Sequence, residues 1–223
     1  LVGSEMCIRD RPIVVNTDGT VSVVDATSGG STAGTAVTFE GGGVANTICA
    51  VFGQNNTFTV VYSDSSNSNY GTSIVGTVSG TGISFGTAVV FKSAAVAYID
   101  LDYSSTDSKY IIVFADGGDS STGKARVGTL VNNNAMSWGT EREFDGDQGI
   151  YNKVRYVASA KVLIAYKKDS GGHGIVGTIS NNDISYGSET DITGGSKIQN
   201  LVFDSNANKA VVFYLNSSGH TLA

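Results

Sequence analysis

The sequence repeats itself about every fifty residues. One short segment that ends in Val-Gly-Thr occurs three times, at 74–77, 126–129 and 175–178, so its copies begin 52 and 49 residues apart. About ten residues further on stands a second landmark, an apolar residue followed by Ser, an aromatic residue and Gly, at 83–86, 136–139 and 184–187. A unit of this length cannot bury its apolar surface alone, so the copies must pack on one another.

Aromatic residues keep the same period. One series comprises Tyr62, Phe114, Tyr166 and Tyr214, and a second, about ten residues earlier in each copy, comprises Phe52, Tyr103, Tyr156 and Phe203. Several interleaved series with one spacing are not expected by chance. The repeat therefore governs the fold of most of the chain.

Each unit is predicted to form four antiparallel strands. In the best-preserved copy these cover about 47–52, 58–62, 72–78 and 83–91, and Ile83 and Phe85 share one face while Ser84 points away, which is the period of a strand. β-Branched and aromatic residues dominate these segments. The segments 79–82, 131–134 and 180–183 are rich in Gly and Asn, which tolerate the positive φ of tight hairpin turns. The prediction is an all-β fold.

The repeats predict a β-propeller, since four strands per unit of about this length are typical of propeller blades. We expect one repeat domain over 12–223, made of a partial unit 12–43, complete units 44–94, 95–148 and 149–197, and a partial unit 198–223. A linear array of small β-sandwiches is the alternative. Whether the two partial units join into one blade of a closed four-bladed ring, or belong to a longer propeller, stays open.

Composition excludes several classes of protein. The formal net charge of −6 disfavours a nucleic-acid partner, because phosphate contacts need clustered Lys and Arg. No apolar run is long enough for a membrane span, and two cysteines rule out a disulfide scaffold. Residues 1–11 resemble translated sequencing-adaptor read-through and are expected to be an artefact, which leaves Cys49 as an ordinary apolar strand residue.

A resemblance extends over about 13–223. The segment 67–80, Asn-Ser-Asn-Tyr-Gly-Thr-Ser-Ile-Val-Gly-Thr-Val-Ser-Gly, followed by Ile-Ser-Phe-Gly at 83–86, resembles the tandem repeats of propeller-like proteins in marine phage and metagenomic sequences. That resemblance implies a tail-fibre or other virion structural component, located outside the cell or on the virion surface.

Candidate ligand contacts lie in the polar loops between second and third strands, which a propeller presents at one rim. They are Asp64, Asn67, Asn69, Asp116, Asp119, Asp169, His173, Asn216 and His220. The functional interpretation is a glycan or Ca²⁺ surface, since Ca²⁺ takes clustered oxygen ligands. The competing interpretation is solvated turns, and no cofactor or metal is expected. The two histidines are predicted to occupy corresponding loop positions, and zinc would need more ligands than they supply.

No catalytic constellation is recognisable. A glycosidase needs two opposed carboxyl groups, and no pair of acids stands out from the rest. We therefore expect a non-catalytic binding or structural module, part of a phage tail fibre or surface adhesin that contacts glycans or neighbouring subunits. The alternatives are a fragment of a carbohydrate-active propeller enzyme, sialidase-like or another glycosidase, and a self-assembling fibril subunit.

Overall fold

The structure, a computed structural model, describes residues 13–15, 21–23, 35–169, 171–192, 197–216 and 218–223. The predicted artefact at 1–11 and much of the partial unit 12–43 lie outside these residues. The strands are β1 Ile13–Val15, β2 Val21–Val23, β3 Val44–Phe52, β4 Thr57–Asp64, β5 Tyr70–Ser79, β6 Gly82–Phe85, β7 Val89–Ser104, β8 Lys109–Asp116, β9 Thr122–Val131, β10 Ala135–Trp138, β11 Arg142–Asp145, β12 Ile150–Ala158, β13 Lys161–Lys168, β14 Gly171–Ser180, β15 Asp183–Tyr186, β16 Thr190–Ile192, β17 Lys197–Asp204, β18 Lys209–Leu215 and β19 Thr221–Leu222. A 3₁₀ turn over Ser65–Asn67 follows β4.

The predicted all-β fold of antiparallel four-stranded repeats is confirmed. In the first complete unit β3, β4 and β5 pair in that order. The place of a fourth strand, beside β5, is filled by β6 and the first part of β7. The second unit repeats this with β7, β8 and β9 and the pair β10 and β11. The third uses β12, β13 and β14 with β15 and β16, and the last described sheet is β17, β18 and β19. Within the described residues, no helix has the length and apolar character needed to cross a membrane.

The fourth strand differs from the prediction of one continuous strand over 83–91. It is interrupted between Phe85 and Val89, and β7 then continues through residues 94 and 95 into the next unit. The first part of β7 pairs with β5 and the second part with β8. A single strand, β7, is thus part of both the first and the second unit. This continuous strand holds the two units at a fixed spacing.

A glycine explains where the fourth strand is interrupted. A Cβ atom added to Gly86 would lie 1.9 Å from the carbonyl oxygen of Asn134, in the hairpin turn of the next unit. The same turn is hydrogen-bonded to Thr87, whose backbone N–H donates to the Asn134 oxygen at 3.0 Å. Gly139 repeats the arrangement one unit later, with the carbonyl oxygen of Asn182 1.8 Å from the position of the added Cβ. The glycines of the first two landmarks, Gly86 and Gly139, therefore let the turn of the next unit approach.

The apolar cores lie between units. Alternate residues of β8 belong to different cores: Ile111 and Val113 pack with the third unit, whereas Ile112 and Phe114 pack with the first. All four side chains are fully buried. Each sheet therefore covers both of its neighbours, which is the packing of propeller blades rather than of sandwiches that each enclose a core of their own.

The first strands of the units, β3, β7, β12 and β17, lie next to one another. β12 pairs with β13 on one side only, which leaves backbone N–H groups along its other edge. Carboxylates of β7 satisfy two of them: Asp100 accepts from the N–H of Val154 at 2.9 Å, and Asp102 accepts from that of Tyr156 at 2.7 Å. Side chains thus replace a strand partner where the units meet.

An ion pair also joins the second and third units at their outer edge. The guanidinium of Arg142 donates to both carboxylate oxygens of Asp183, at 2.7 and 2.6 Å. These hydrogen bonds, together with one from the backbone N–H of Ile184, lower the pKa of Asp183 to about 2. Because the folded pKa is lowered, the pair stabilises the fold above the unfolded value of about 3.9 and stops doing so as the pH falls towards 2.

We expect Arg142→Gln to raise the pKa of Asp183 towards about 3.9, since the substitution removes both donors and the positive charge. The check is a carboxyl-detected NMR titration of Asp183 in the full chain. Arg126→Gln is the control, because Arg126 lies beside Glu141 instead. An Asp183 pKa that does not move in Arg142→Gln would contradict the assignment.

Candidate ligand-binding site

Each of the first strands β3, β7, β12 and β17 is irregular near the point where its pairing with the second strand begins. The register with the second strand shifts between Ala45 and Ile48, between Ala97 and Asp100, between Ile150 and Lys153, and between Ile198 and Asn200. In the second and third units two residues on the first strand oppose one on its partner, which is a β-bulge. Bulges redirect side chains, and here they do so at equivalent positions of adjacent strands.

A tyrosine occupies the bulge in both of these units. Tyr98 has a φ of 50° and Tyr151 a φ of 55°, a left-handed conformation that is costly for bulky residues. Their rings are tilted at 51° with centroids 4.7 Å apart. Strained backbone of this kind persists where the surrounding structure enforces it, and it clusters at functional sites.

The two tyrosines line a cavity to which the three complete units and the partial unit 198–223 contribute. Its volume is about 560 Å³, in the range of small-molecule sites. The lining residues come from the four first strands: Thr47, Ala97, Tyr98, Ile99, Tyr151, Asn152, Lys153, Ile198 and Gln199. The cavity thus combines aromatic faces with amide, hydroxyl and ammonium groups.

The surroundings of the cavity are polar and in part positively charged. The ammonium of Lys197 lies over the ring of Tyr151, 5.7 Å from its centroid. Partial burial, and to a lesser degree the neighbouring Tyr151, raise the pKa of the Tyr98 hydroxyl above its ordinary value. The Tyr98 phenol is therefore neutral at physiological pH and can donate a hydrogen bond.

Asp100 connects three units along the same strands. Its Oδ2 accepts from the guanidinium of Arg155 at 2.8 Å, in addition to the backbone of Val154. Its Oδ1 accepts from the thiol of Cys49 in the first unit, with sulfur and oxygen 3.5 Å apart. Burial and then Asp100 raise the pKa of that thiol to about 11. Cys49 is therefore a protonated thiol that donates a hydrogen bond, whereas the sequence predicted an ordinary apolar strand residue.

Contacts within the protein occupy part of the loop in the first complete unit. The carboxylate of Asp64 is mostly buried and accepts from the backbone N–H of Ser66 at 3.0 Å. The carbonyl oxygen of Asn69 accepts from the N–H of Val96 at 3.1 Å, which links two units. Asn67 lies exposed in the 3₁₀ turn.

The loop acids of the second unit are held by lysines. Asp116 is buried, with a carboxylate oxygen 2.5 Å from the ammonium of Lys92. Asp119 accepts from the ammonium of Lys124 at 2.9 Å, and that hydrogen bond lowers the pKa of its carboxyl group.

The remaining predicted residues are Asp169, His173, Asn216 and His220. Asp169 has a positive φ of 48°, and the Asn216 side chain accepts from the backbone N–H of His220 at 2.9 Å. His173 is not in a loop but in β14, where it pairs with Tyr166, whereas Tyr214 of the next unit pairs with Leu222. The predicted correspondence of the two histidines is therefore wrong.

None of the nine predicted residues lines the cavity, although their loops lie at the same end of the strands as the bulges. Ala45 pairs with Ser63 and Ala97 with Ala115, directly before the first and second of these loops. A role for the nine in ligand contact stays a prediction. Sequence reasoning missed Tyr98 and Tyr151, which stand five residues before Tyr103 and Tyr156 of the aromatic series.

Solved structures of other proteins share the fold, and two of them are compared with this chain. A protein from Lactobacillus plantarum superposes with a TM-score of 0.55 and 11% sequence identity, over 95% of this chain and 60% of that one. Aleuria aurantia lectin, solved as an N224Q mutant in complex with alpha-methyl-L-fucoside, superposes with a TM-score of 0.50 and 14% identity, over 95% of this chain and 67% of the lectin. The chain thus spans three fifths to two thirds of the length of these structures, and at such identities the likeness concerns the fold alone.

No protein-family model matches the sequence, and none of the curated proteins compared with it is significantly similar.

Proposed function

We propose that this chain is a non-catalytic glycan-binding module whose site is the cavity around Tyr98 and Tyr151. The observation that carries the proposal is the pair of tyrosines, each in left-handed backbone, over a cavity of about 560 Å³ shared by the three complete units and the partial unit 198–223. A sugar ring offers apolar C–H faces that pack on aromatic rings. It also offers hydroxyl groups that match the amide of Gln199 and the ammonium of Lys153.

The lining favours binding over hydrolysis. Hydrolysis of a glycosidic bond needs two carboxyl groups on opposite sides of the bond. The residues that line the described cavity include no Asp or Glu. The ligand named for the structurally similar Aleuria aurantia lectin, a methyl fucoside, also supports a sugar as the ligand.

We also propose that the module belongs to an extracellular appendage such as a phage tail fibre or adhesin, in which several copies bind a glycan-coated surface together. What supports this is the resemblance of the repeats at 67–80 and 83–86. Multivalent attachment would strengthen weak individual contacts. Adsorption of the fluorescently labelled chain, displayed in several copies on a bead, to bacterial cells tests this. Adsorption that added glycans do not compete away would contradict it.

Tyr151→Ala should weaken glycan binding at least about tenfold, because it removes one of the two aromatic faces of the cavity. The measurement is isothermal titration calorimetry with the best ligand from a glycan array that includes alpha-methyl-L-fucoside. Phe52→Ala is the matched control: Phe52 lies on the first strand of its own unit, is 71% exposed and does not line the cavity. Absence of any ligand on the array, or equal affinity in both variants, would overturn the proposal.

A further inference from the structure

Outside the cavity, three metal-ligating side chains converge on the outer strands of the third unit. His173 of β14 pairs with Asp191 of β16, and Glu189 directly precedes β16. The Nδ1 atom of His173 lies 3.2 Å from a carboxylate oxygen of Glu189 and 3.1 Å from one of Asp191. The three ligand atoms all lie within 4.8 Å of one another.

The imidazole nitrogen at the centre of this group lacks a hydrogen bond. Nδ1 of His173 is buried, yet neither nearby carboxylate oxygen meets it in hydrogen-bonding geometry. A buried nitrogen without a partner is costly. A cation between the three atoms would give Nδ1 a partner and remove that cost.

Neighbouring aromatic groups hold two of the ligands in place. The ring of His173 stacks on that of Tyr166, with centroids 5.9 Å apart and planes at 29°. The hydroxyl of Tyr166 donates to Oε2 of Glu189, which leaves Oε1 facing the imidazole. Hydrogen bonds of this type, one step removed from the ion, orient the ligands of metal sites.

The local charge also favours a cation. Lys168 lies 3.7 Å from Glu189, but its ammonium also faces Asp145 at 3.4 Å and Asp147 at 3.7 Å. With Asp191, four carboxylates surround this lysine and His173. The surplus of negative charge remains even when Lys168 is protonated.

We propose that His173, Glu189 and Asp191 bind a divalent transition metal ion, for which Zn²⁺ is the appropriate probe. One imidazole nitrogen and two carboxylate oxygens are ligands that zinc takes, with water in the fourth position. Ca²⁺ fits less well, because it takes six to eight oxygen ligands. The inference is independent of glycan binding.

The test is calorimetric titration of Zn²⁺ into the untagged full chain. Cys7→Ser is used as the background for every variant, since a cysteine thiol can itself bind zinc. We expect one saturable site. His173→Ala and Asp191→Asn should each weaken it at least about tenfold, because loss of even an orienting neighbour costs a metal site 10–100-fold. The exposed His220 supplies the control, and His220→Ala should leave the affinity unchanged.

Three results would overturn the inference: no saturable binding by the background protein, equal affinity in His173→Ala, or an equal loss in His220→Ala. Asp191 is 83% exposed, so Asp191→Asn should fold even if His173→Ala does not. A rise in thermal unfolding temperature with added Zn²⁺, absent in Asp191→Asn, is the second readout.

Discussion

Asp100→Ala should lower the free energy of unfolding by about 3–5 kcal/mol, the cost of breaking a buried ion pair by removing one partner. Asp100 is 5% exposed and accepts hydrogen bonds from Val154 and Arg155 of the next unit. Its loss leaves the backbone N–H of Val154 without a partner and removes the carboxylate that pairs with the guanidinium of Arg155. Urea denaturation followed by circular dichroism measures the change.

Asp147→Ala is the control for this experiment. Asp147 also faces a cation, Lys168 at 3.7 Å, but its side chain is 65% exposed. Pairs of this kind contribute about 0–1 kcal/mol. Similar losses in the two variants would show that the carboxylate of Asp100 does not hold the units together.

Gly139→Ala should lower the free energy of unfolding by about 3 kcal/mol, the upper end of what overpacking costs. The added Cβ would lie 1.8 Å from the backbone oxygen of Asn182, which no change of side-chain rotamer can relieve. The second and third units would have to move apart, so their shared core would open. Differential scanning calorimetry of the full chain measures the effect.

The repeat provides a matched control at Gly187. It stands at the same place in the third unit, but a Cβ there would meet its nearest neighbour, the oxygen of Val176, at 3.7 Å. Gly187→Ala should therefore leave stability within about 0.5 kcal/mol of wild type. If the two alanine variants were equally unstable, the conformation of the glycine and not the neighbouring turn would explain the landmark.

The repeat unit and most of its strands could be predicted because they depend on local patterns. Apolar and polar residues alternate over Ile83–Phe85, which is typical of a strand, and the turns contain Gly or Asn. Both patterns reflect the conformational preferences of short segments. The landmark glycines could be recognised in the sequence, but the contact that requires a glycine at these positions could not. Gly86 is required by a turn about fifty residues later, and nothing near it in the chain reveals that contact.

The candidate sites could not be predicted for the same reason. The bulges at Tyr98 and Tyr151 form where neighbouring first strands meet, and a bulge has no simple sequence signature. Glu189 and Asp191 become partners of His173 only because β16 folds back beside β14. The polar loops, in contrast, attract notice by composition, and in them Asp64 accepts a hydrogen bond from Ser66 and Asp116 forms an ion pair with Lys92.

Because the cores lie between sheets, the stability of each unit depends on the unit next to it. In β8, Ile111 packs in the core shared with the third unit and Ile112 in the core shared with the first. Unfolding of this sheet would therefore expose apolar surface on both sides. Stability then behaves as a chain of nearest-neighbour couplings, as in other repeat proteins. Interior sheets, which share a core with a neighbour on each side, should unfold last. A destabilising substitution in an interior sheet should therefore lower the stability of both flanking units.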